Sequence, residues 1–274
     1  MLAADKKFEW KMPINFYGKV VDENGQPVAG AKVEFSWTDL TPNGTSEAQT
    51  TSDPQGQFTL TAQRGKRLQV RVNKDGYHRS QEQSAGNFEY AAFFEPSYYQ
   101  PDPNAPVIFR LRKKGNPEPL IVRQTLYGIR IDGTPHYIDL ATGKKTVGGA
   151  QTGDIAIRLV RPANPGQRFD WSLELEGVNG AELMESADEL LFNAPVDGYQ
   201  PKLEYEMKAD DPSWRAGLQK RLFVRGRSGK LYALLQADVM ATYNEQASVD
   251  LEVNANASGS RNVEPGGPKQ ASAP

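Results

Sequence analysis

Ala31-Lys32-Val33-Glu34-Phe35-Ser36-Trp37 alternates without a break, with Ala31, Val33, Phe35 and Trp37 on one side and Lys32, Glu34 and Ser36 on the other. A period of two marks a strand with one face in a core and the other in water. Phe58 and Leu60, then Leu68, Val70 and Val72, then Phe109 and Leu111 repeat the pattern, so these segments call for a common core. Asn24-Gly25 with Pro27, Asp53-Pro54-Gln55-Gly56 and Asp75-Gly76 lie between them as turns, and their glycines can take the positive φ that such turns require. Short strands separated by tight turns predict a sandwich or barrel, and no helical period appears before residue 114.

Four motifs then fall in order: Gly18-Lys-Val-Val-Asp-Glu-Asn-Gly25, Pro27-Val-Ala-Gly30-Ala-Lys-Val33, Thr50-Thr-Ser-Asp53 with Gly56-Gln-Phe58, and Val72-Asn-Lys-Asp-Gly76-Tyr77. Together they resemble the carboxypeptidase regulatory-like family. The resemblance implies a transthyretin-like (prealbumin-like) sandwich of about seven strands. It implies no particular activity, because this module accompanies many different partners. The chain departs from the family pattern in a long aromatic-rich segment between Tyr77 and the closing strand Val107 to Arg112.

Lys113-Lys-Gly-Asn-Pro-Glu-Pro119 interrupts both ladder and helix and marks a boundary. Beyond it the period of two returns. Phe169, Trp171, Leu173 and Leu175 alternate with acidic and polar residues, as do Leu203, Tyr205 and Met207, the run from Leu231 to Ala241, and Val249, Leu251 and Val253. Short helical turns are expected at Ser186 to Leu191, where Ser186 and Glu189 form a capping box, and from Asp211-Pro212 to Gly217. The fold class expected is all-β: a prealbumin-like sandwich followed by a second antiparallel β-sandwich with one or two short helical turns. The divisions are an N-terminal extension 1–12, a regulatory-like sandwich 13–113, a linker 114–119, a second domain 120–256 and a disordered tail 257–274, the tail being small, polar and proline-rich. The second domain resembles no family.

Composition narrows the chemistry. With 32 basic and 34 acidic residues the net charge is −2, which favours neither nucleic acid nor an anionic membrane. The chain has no cysteine, so disulfides, thiolate metal sites and cysteine nucleophiles are excluded. No apolar run approaches the roughly 20 residues of a membrane span. The family name suggests zinc hydrolysis, yet His78 and His136 stand apart, outside any His-x-x-Glu or His-Glu-x-x-His pattern, and each reads as an ordinary packed histidine. The serine-hydrolase elbow and the phosphate-cradling loop are missing, and Gly143-Lys-Lys-Thr146 reads as a hairpin turn. Glycoside hydrolysis needs only two carboxylates, but Glu174 with Glu176 and Glu204 with Glu206 occupy outward faces where solvated charge is the default. No catalytic residue, metal ligand or cofactor is therefore expected.

Two surfaces remain. Phe88, Tyr90, Phe93, Phe94, Tyr98 and Tyr99 crowd the departing segment and suit either the core or an aromatic platform for sugars or proteins. Arg64, Lys66, Arg67, Arg71, Arg110, Arg112, Lys113 and Lys114 make the first region locally basic, mostly as a solvated face. The expectation is a non-enzymatic exported binding or structural protein, contacting protein or glycan at the cell surface or in the periplasm. The alternative is a carbohydrate-binding module or carbohydrate-active enzyme sited in the second domain, with Trp171 and Trp214 as its aromatics. The opening Met1 to Lys7 carries no signal segment and is expected to be a start codon placed on a mature exported chain, since regulatory-like modules are common in exported proteins.

Overall fold

The computed structural model describes residues 7–91, 98–164, 166–243 and 246–267. The chain divides into two compact units, Met1–Lys114 and Gly115–Pro274, both built from strands. In the first unit the strands are β1 (Pro13–Val21), β2 (Lys32–Thr38), β3 (Thr45–Thr51), β4 (Gln57–Arg64), β5 (Arg67–Asn73), β6 (Tyr77–His78), β7 (Ala85–Glu89), β8 (Val107–Arg110) and β9 (Arg112–Lys113). They form one sheet in the order β4-β1-β8, a second in the order β3-β2-β5-β7, and a small β6-β9 pair. All pairings are antiparallel except β1 with β8.

The alternation that opens the sequence holds in β2: Val33, Phe35 and Trp37 are buried while Lys32 is exposed. They share one core with Ile14, Phe16 and Val20 of β1, Phe58 and Leu60 of β4, Leu68, Val70 and Val72 of β5, and Phe109 of β8. The turn glycines are held where sterics demand glycine. Gly56 sits at φ +75°, and a Cβ there would stand 2.4 Å from the Val20 carbonyl oxygen. Gly56→Ala is therefore expected to cost about 2 kcal/mol or more of unfolding free energy, measurable by urea denaturation, because strain and a backbone clash add.

The second unit comprises β10 (Ile121–Ile129), β11 (His136–Ile138), β12 (Lys145–Val147), β13 (Ile155–Val160), β14 (Trp171–Gly177), β15 (Glu182–Glu185), β16 (Lys202–Met207), β17 (Gly217–Gly226), β18 (Leu231–Tyr243) and β19 (Gln246–Asn256). Two five-stranded antiparallel sheets, β10-β19-β18-β17-β15 and β12-β11-β13-β14-β16, face each other over a single core. Alternate residues of β14 (Trp171, Leu173, Leu175) meet alternate residues of β18 and β19 (Leu235, Ala237, Val239; Val249, Leu251, Val253). At one end the buried Arg161 is tied to the carbonyls of Ala241, Pro162 and Gln246, which joins the end of β13 to the β18–β19 hairpin. At the hairpin between β17 and β18, Arg227 grips both carboxylate oxygens of the buried Asp154 and also reaches Asp139.

Several sequence expectations need correction. Neither expected helical turn forms. Asp188 and Asp211 instead accept from Leu190 N–H and Ser213 N–H two residues on, closing Asx turns. The short helical turns lie at Phe8–Lys11 and Arg227–Gly229. Residues 257–267 are not a free tail: Asn262 bridges to Asn193, and Val263 is fully buried beside Leu190 and Phe192. The cause is the polar composition itself. Ser258, Ser260, Asn262 and Glu264 each donate a backbone N–H to the side chain two residues earlier, a substitute for a sheet ladder. Residues 268–274 lie outside the described residues. The linker is packed as well, since Gly115 N–H donates to Glu264, and Glu118 accepts from Asn256 and Ser260. In the N-terminal extension, Glu9 is buried and ion-paired with Lys66, whose ammonium also lies over the Trp10 ring.

Candidate functional site

Three of the four described rings of the aromatic segment, Phe88, Tyr90 and Tyr99, fold inward. β7 places Phe88 opposite Leu68, and its ring stands 4.6 Å from Phe16 and 4.9 Å from Tyr99. Tyr90 is buried and donates its hydroxyl to the Asn15 carbonyl at 2.6 Å. Burial drives the pKa of its phenol well above the ordinary range, making it a weaker acid. Tyr99 joins both rings at 5.6 Å from Tyr90 and 5.6 Å from Phe16. Tyr98 alone among the described members faces out, at 45% exposure. Phe93 and Phe94 lie outside the described residues. A platform of stacked surface rings is thus not what Phe88, Tyr90 and Tyr99 build: Tyr90 belongs to the core, and Phe88 and Tyr99 pack half-buried against it.

Trp214 is occupied in a similar way. Its indole N–H donates to the Phe169 carbonyl at 2.8 Å, its ring meets Phe169 edge-on at 5.5 Å, and the Arg168 guanidinium lies over it at 5.4 Å. Trp171 is buried and donates to the Arg215 carbonyl. Sugar stacking needs an open ring face, and these contacts take up the Trp214 ring.

The histidines and the paired carboxylates also have structural partners. His136 is 2% exposed and its Nε2 accepts from Arg130 N–H at 2.9 Å. Burial, with the nearby Lys145 and Arg130 charges, lowers its pKa to about 4, so it is neutral at pH 7. On the outer face of the β14 sheet, Arg158 binds both Glu174 and Glu176, and Lys202 binds Glu174 and Glu204. Hydrogen bonding from Lys202 lowers the Glu204 pKa. The other shifted carboxyls, Glu34, Asp39, Asp132, Asp139, Asp170, Glu185 and Asp211, also move down, opposite to the direction a general acid requires. Among the described residues no group of three or more His, Asp or Glu is placed to hold a metal ion.

The surface that stands out was not legible in the sequence. On the outward face of β10, β19, β18 and β17, cross-strand register sets Leu126, Asp250, Asp238 and Gln219 in one row and Gln124, Glu252, Gln236 and Arg221 in the next. Half of this face is covered. Phe223 and Leu234 lie under Leu190, Phe192 and Val263, and Arg221 turns toward the Leu191 carbonyl. The other half is bare: Leu126 is 54% and Met240 41% exposed, and Gln124, Gln219, Gln236 and Asp238 are exposed between them. Gln124 donates to Asp250 and Gln219 to Asp238, so amides bracket the acids without neutralising them. Asp238 faces Asp250 directly across the strands, an arrangement that costs stability. Among the described residues Asp238, Asp250 and Glu252 make no ion pair. Inward alternation on these strands is strong, but only pairing register reveals which outward residues become neighbours.

Fold and surface define a two-sandwich β protein with an acidic and partly apolar sheet face. Its first unit carries a carboxypeptidase regulatory-like domain: that family matches residues 15–88, the span holding the four motifs. No curated protein matches the chain. Among solved structures, the apo HmuY analog of Tannerella forsythia is similar at 11% identity over 51% of this chain and 99% of that one, with a TM-score of 0.31. The shaft pilin SpaA of Lactobacillus rhamnosus GG is similar at 12% identity over 87% and 92%, with a TM-score of 0.28. A DUF3823 family protein of Bacteroides uniformis is similar at 11% identity over 90% and 97%, with a TM-score of 0.25. Likenesses this slight carry no argument.

Proposed function

We propose that the protein is a non-enzymatic, extracytoplasmic binding protein in which the regulatory-like sandwich supports the second β domain, and the bare half of the β10-β19-β18-β17 face docks a lysine- or arginine-rich protein surface. The observation that carries this reading is Asp238 set directly opposite Asp250, with Glu252 in the next row and no cation paired with any of them among the described residues. An arrangement that costs the free protein stability is retained where a partner's charge offsets it. Leu126, Val122 and Met240 supply apolar anchors at the margins, a composition suited to protein contact. A glycan is the weaker ligand, because among the described residues the bare half of the face presents no aromatic ring and Trp214 is engaged elsewhere. The extracytoplasmic placement rests on the regulatory-like domain, a module common in exported proteins; a signal peptide or lipid-attachment cysteine encoded upstream would establish it.

Asp238→Asn separates stability from binding. It relieves the like-charge pair and is expected to raise the stability of the second unit by about 0.5 kcal/mol. The same change is expected to weaken binding of an oligolysine peptide several-fold, and Asp238→Lys with Asp250→Lys to abolish it. Calorimetry at low and high salt measures both, with binding fading as salt rises. Oligolysine binding that ignores the reversed charges, or glycan-array binding lost in Trp214→Ala, would overturn the reading.

A further inference from the structure

β3 is an unguarded sheet edge, and we infer that it pairs with β3 of a second copy of this chain. Sheet edges present unpaired backbone groups, and proteins usually blunt them with short strands, lysine, proline, bulges or covering segments. The other edges here are blunted in these ways. β4 carries a register shift against β1 and the left-handed Ala62. β7 is followed closely by Tyr99 N–H on the Glu89 carbonyl, and β8 has Arg110 N–H on the Gln83 carbonyl. Along β10, Lys145 takes the Gly128 carbonyl, β15 is bridged by Gln200, and β12 has only three residues. β16 is lined by Lys202, Glu204 and Glu206.

Among the described residues β3 has only one of these devices, the single charge of Glu47. Thr45-Ser-Glu-Ala-Gln-Thr-Thr51 runs in unbroken register along β2 and contains no proline and no basic residue. Just beyond its two ends, Asp39 N–H donates to the Gly44 carbonyl and Ser52 N–H to the Ala31 carbonyl. Antiparallel ladders alternate, so the even-numbered residues of β3 point their backbone groups at β2, and Thr45, Glu47, Gln49 and Thr51 point theirs outward. The Thr45 carbonyl also accepts from the Thr41 hydroxyl at 3.3 Å, which leaves Glu47, Gln49 and Thr51 as the open stretch.

Of the two-fold registers that set outward residues opposite one another, the one with its axis at Ala48 brings Glu47 against Gln49. Glu47 falls opposite Gln49 of the other copy and Gln49 opposite Glu47, which forms the bonded centre, while Thr51 stands opposite Thr45, whose carbonyl already holds the Thr41 hydroxyl. The outward backbone groups then meet as hydrogen-bonded pairs, while Ala48, whose groups serve β2, occupies the non-bonded position the pattern requires. No like charges coincide, and each Gln49 amide can donate to a Glu47 carboxylate across the axis. Neighbouring Ala48 packs on its own core, so the outward side chains are free to vary without disturbing the fold. The closed two-fold also explains why the edge needs no guard: it limits growth to a dimer.

Sedimentation equilibrium of the full chain tests this. A single edge pairing is small beside stable interfaces, so wild type is expected to self-associate weakly, with a Kd of roughly 10⁻⁴ M. Gln49→Lys sets opposite charges across the axis twice and is expected to tighten the dimer about tenfold. Gln49→Glu gathers four carboxylates and is expected to leave a monomer. Gln49→Pro removes only an outward N–H and is expected to do the same with an unchanged circular dichroism spectrum. Monomers throughout, including Gln49→Lys at millimolar concentration, would overturn the inference, as would a dimer that all three variants leave unchanged.

Discussion

Phe16→Ala is expected to destabilise the first unit by about 3–5 kcal/mol, a large share of the about 5–15 kcal/mol that holds a domain together. Phe16 lies on β1, the central strand of its sheet, and is completely buried. Its ring stands 6.1 Å from Phe58 and 6.1 Å from Phe109, and it is also the ring on which Phe88 and Tyr99 pack, at 4.6 and 5.6 Å. Truncation opens a cavity whose walls belong to both sheets and to the aromatic segment, so no single element can relax to fill it. Tyr98→Ala, at the exposed member of the segment, is expected to stay within about 0.5 kcal/mol of wild type. Scanning calorimetry with urea titration measures both. A Phe16→Ala loss below about 1.5 kcal/mol, or a Tyr98→Ala loss as large as that of Phe16→Ala, would show that the aromatics are not the core they form here.

The second large effect is on acid stability. The folded-state pKa of His136, about 4, lies below the ordinary value of 6.5, so between these values the unfolded chain binds the proton and the folded chain does not. Stability from this group is therefore complete above pH 6.5 and falls as pH drops toward 4, below which it is lost in full. Going from pH 7.5 to 4.5 is expected to remove about 2.5 kcal/mol from the second unit. His136→Phe gives up the acceptor for Arg130 N–H and lowers stability at neutral pH, but it flattens that slope. Urea midpoints of the two proteins at intervals from pH 4.5 to 7.5 would decide the matter. Parallel curves would mean that His136 titrates normally.

What the sequence disclosed follows the physics of each signal. Alternation over Ala31 to Trp37 locates β2 because one face of that strand is buried and the other wet, and the turn glycines locate the hairpins because few other residues tolerate their φ. The capping-box pattern at Ser186 misled because Asx turns use the same residue types as helix caps, and Leu190 was wanted by the small core over Phe223 and Leu234 rather than by a helix. The tail misled for a related reason: serine and asparagine signal disorder by composition, yet here their side chains carry the backbone bonds from Asn256 to Glu264. The aromatic segment was visible but its direction was not, since rings suited to a platform are equally suited to a core. The acidic sheet face was invisible. Asp238 and Asp250 sit in unremarkable alternating strands, and only the register between β18 and β19 sets them against each other.

The most direct test of the account is to map, by amide chemical shifts in the labelled protein, where an oligolysine peptide lands. The predicted result is a salt-sensitive set of shifts at Gln124 to Leu126, Gln236 to Met240 and Ser248 to Glu252, absent in Asp238→Lys with Asp250→Lys. Shifts confined to other surfaces, or none at all in low salt, would contradict the assignment of that face as the binding surface.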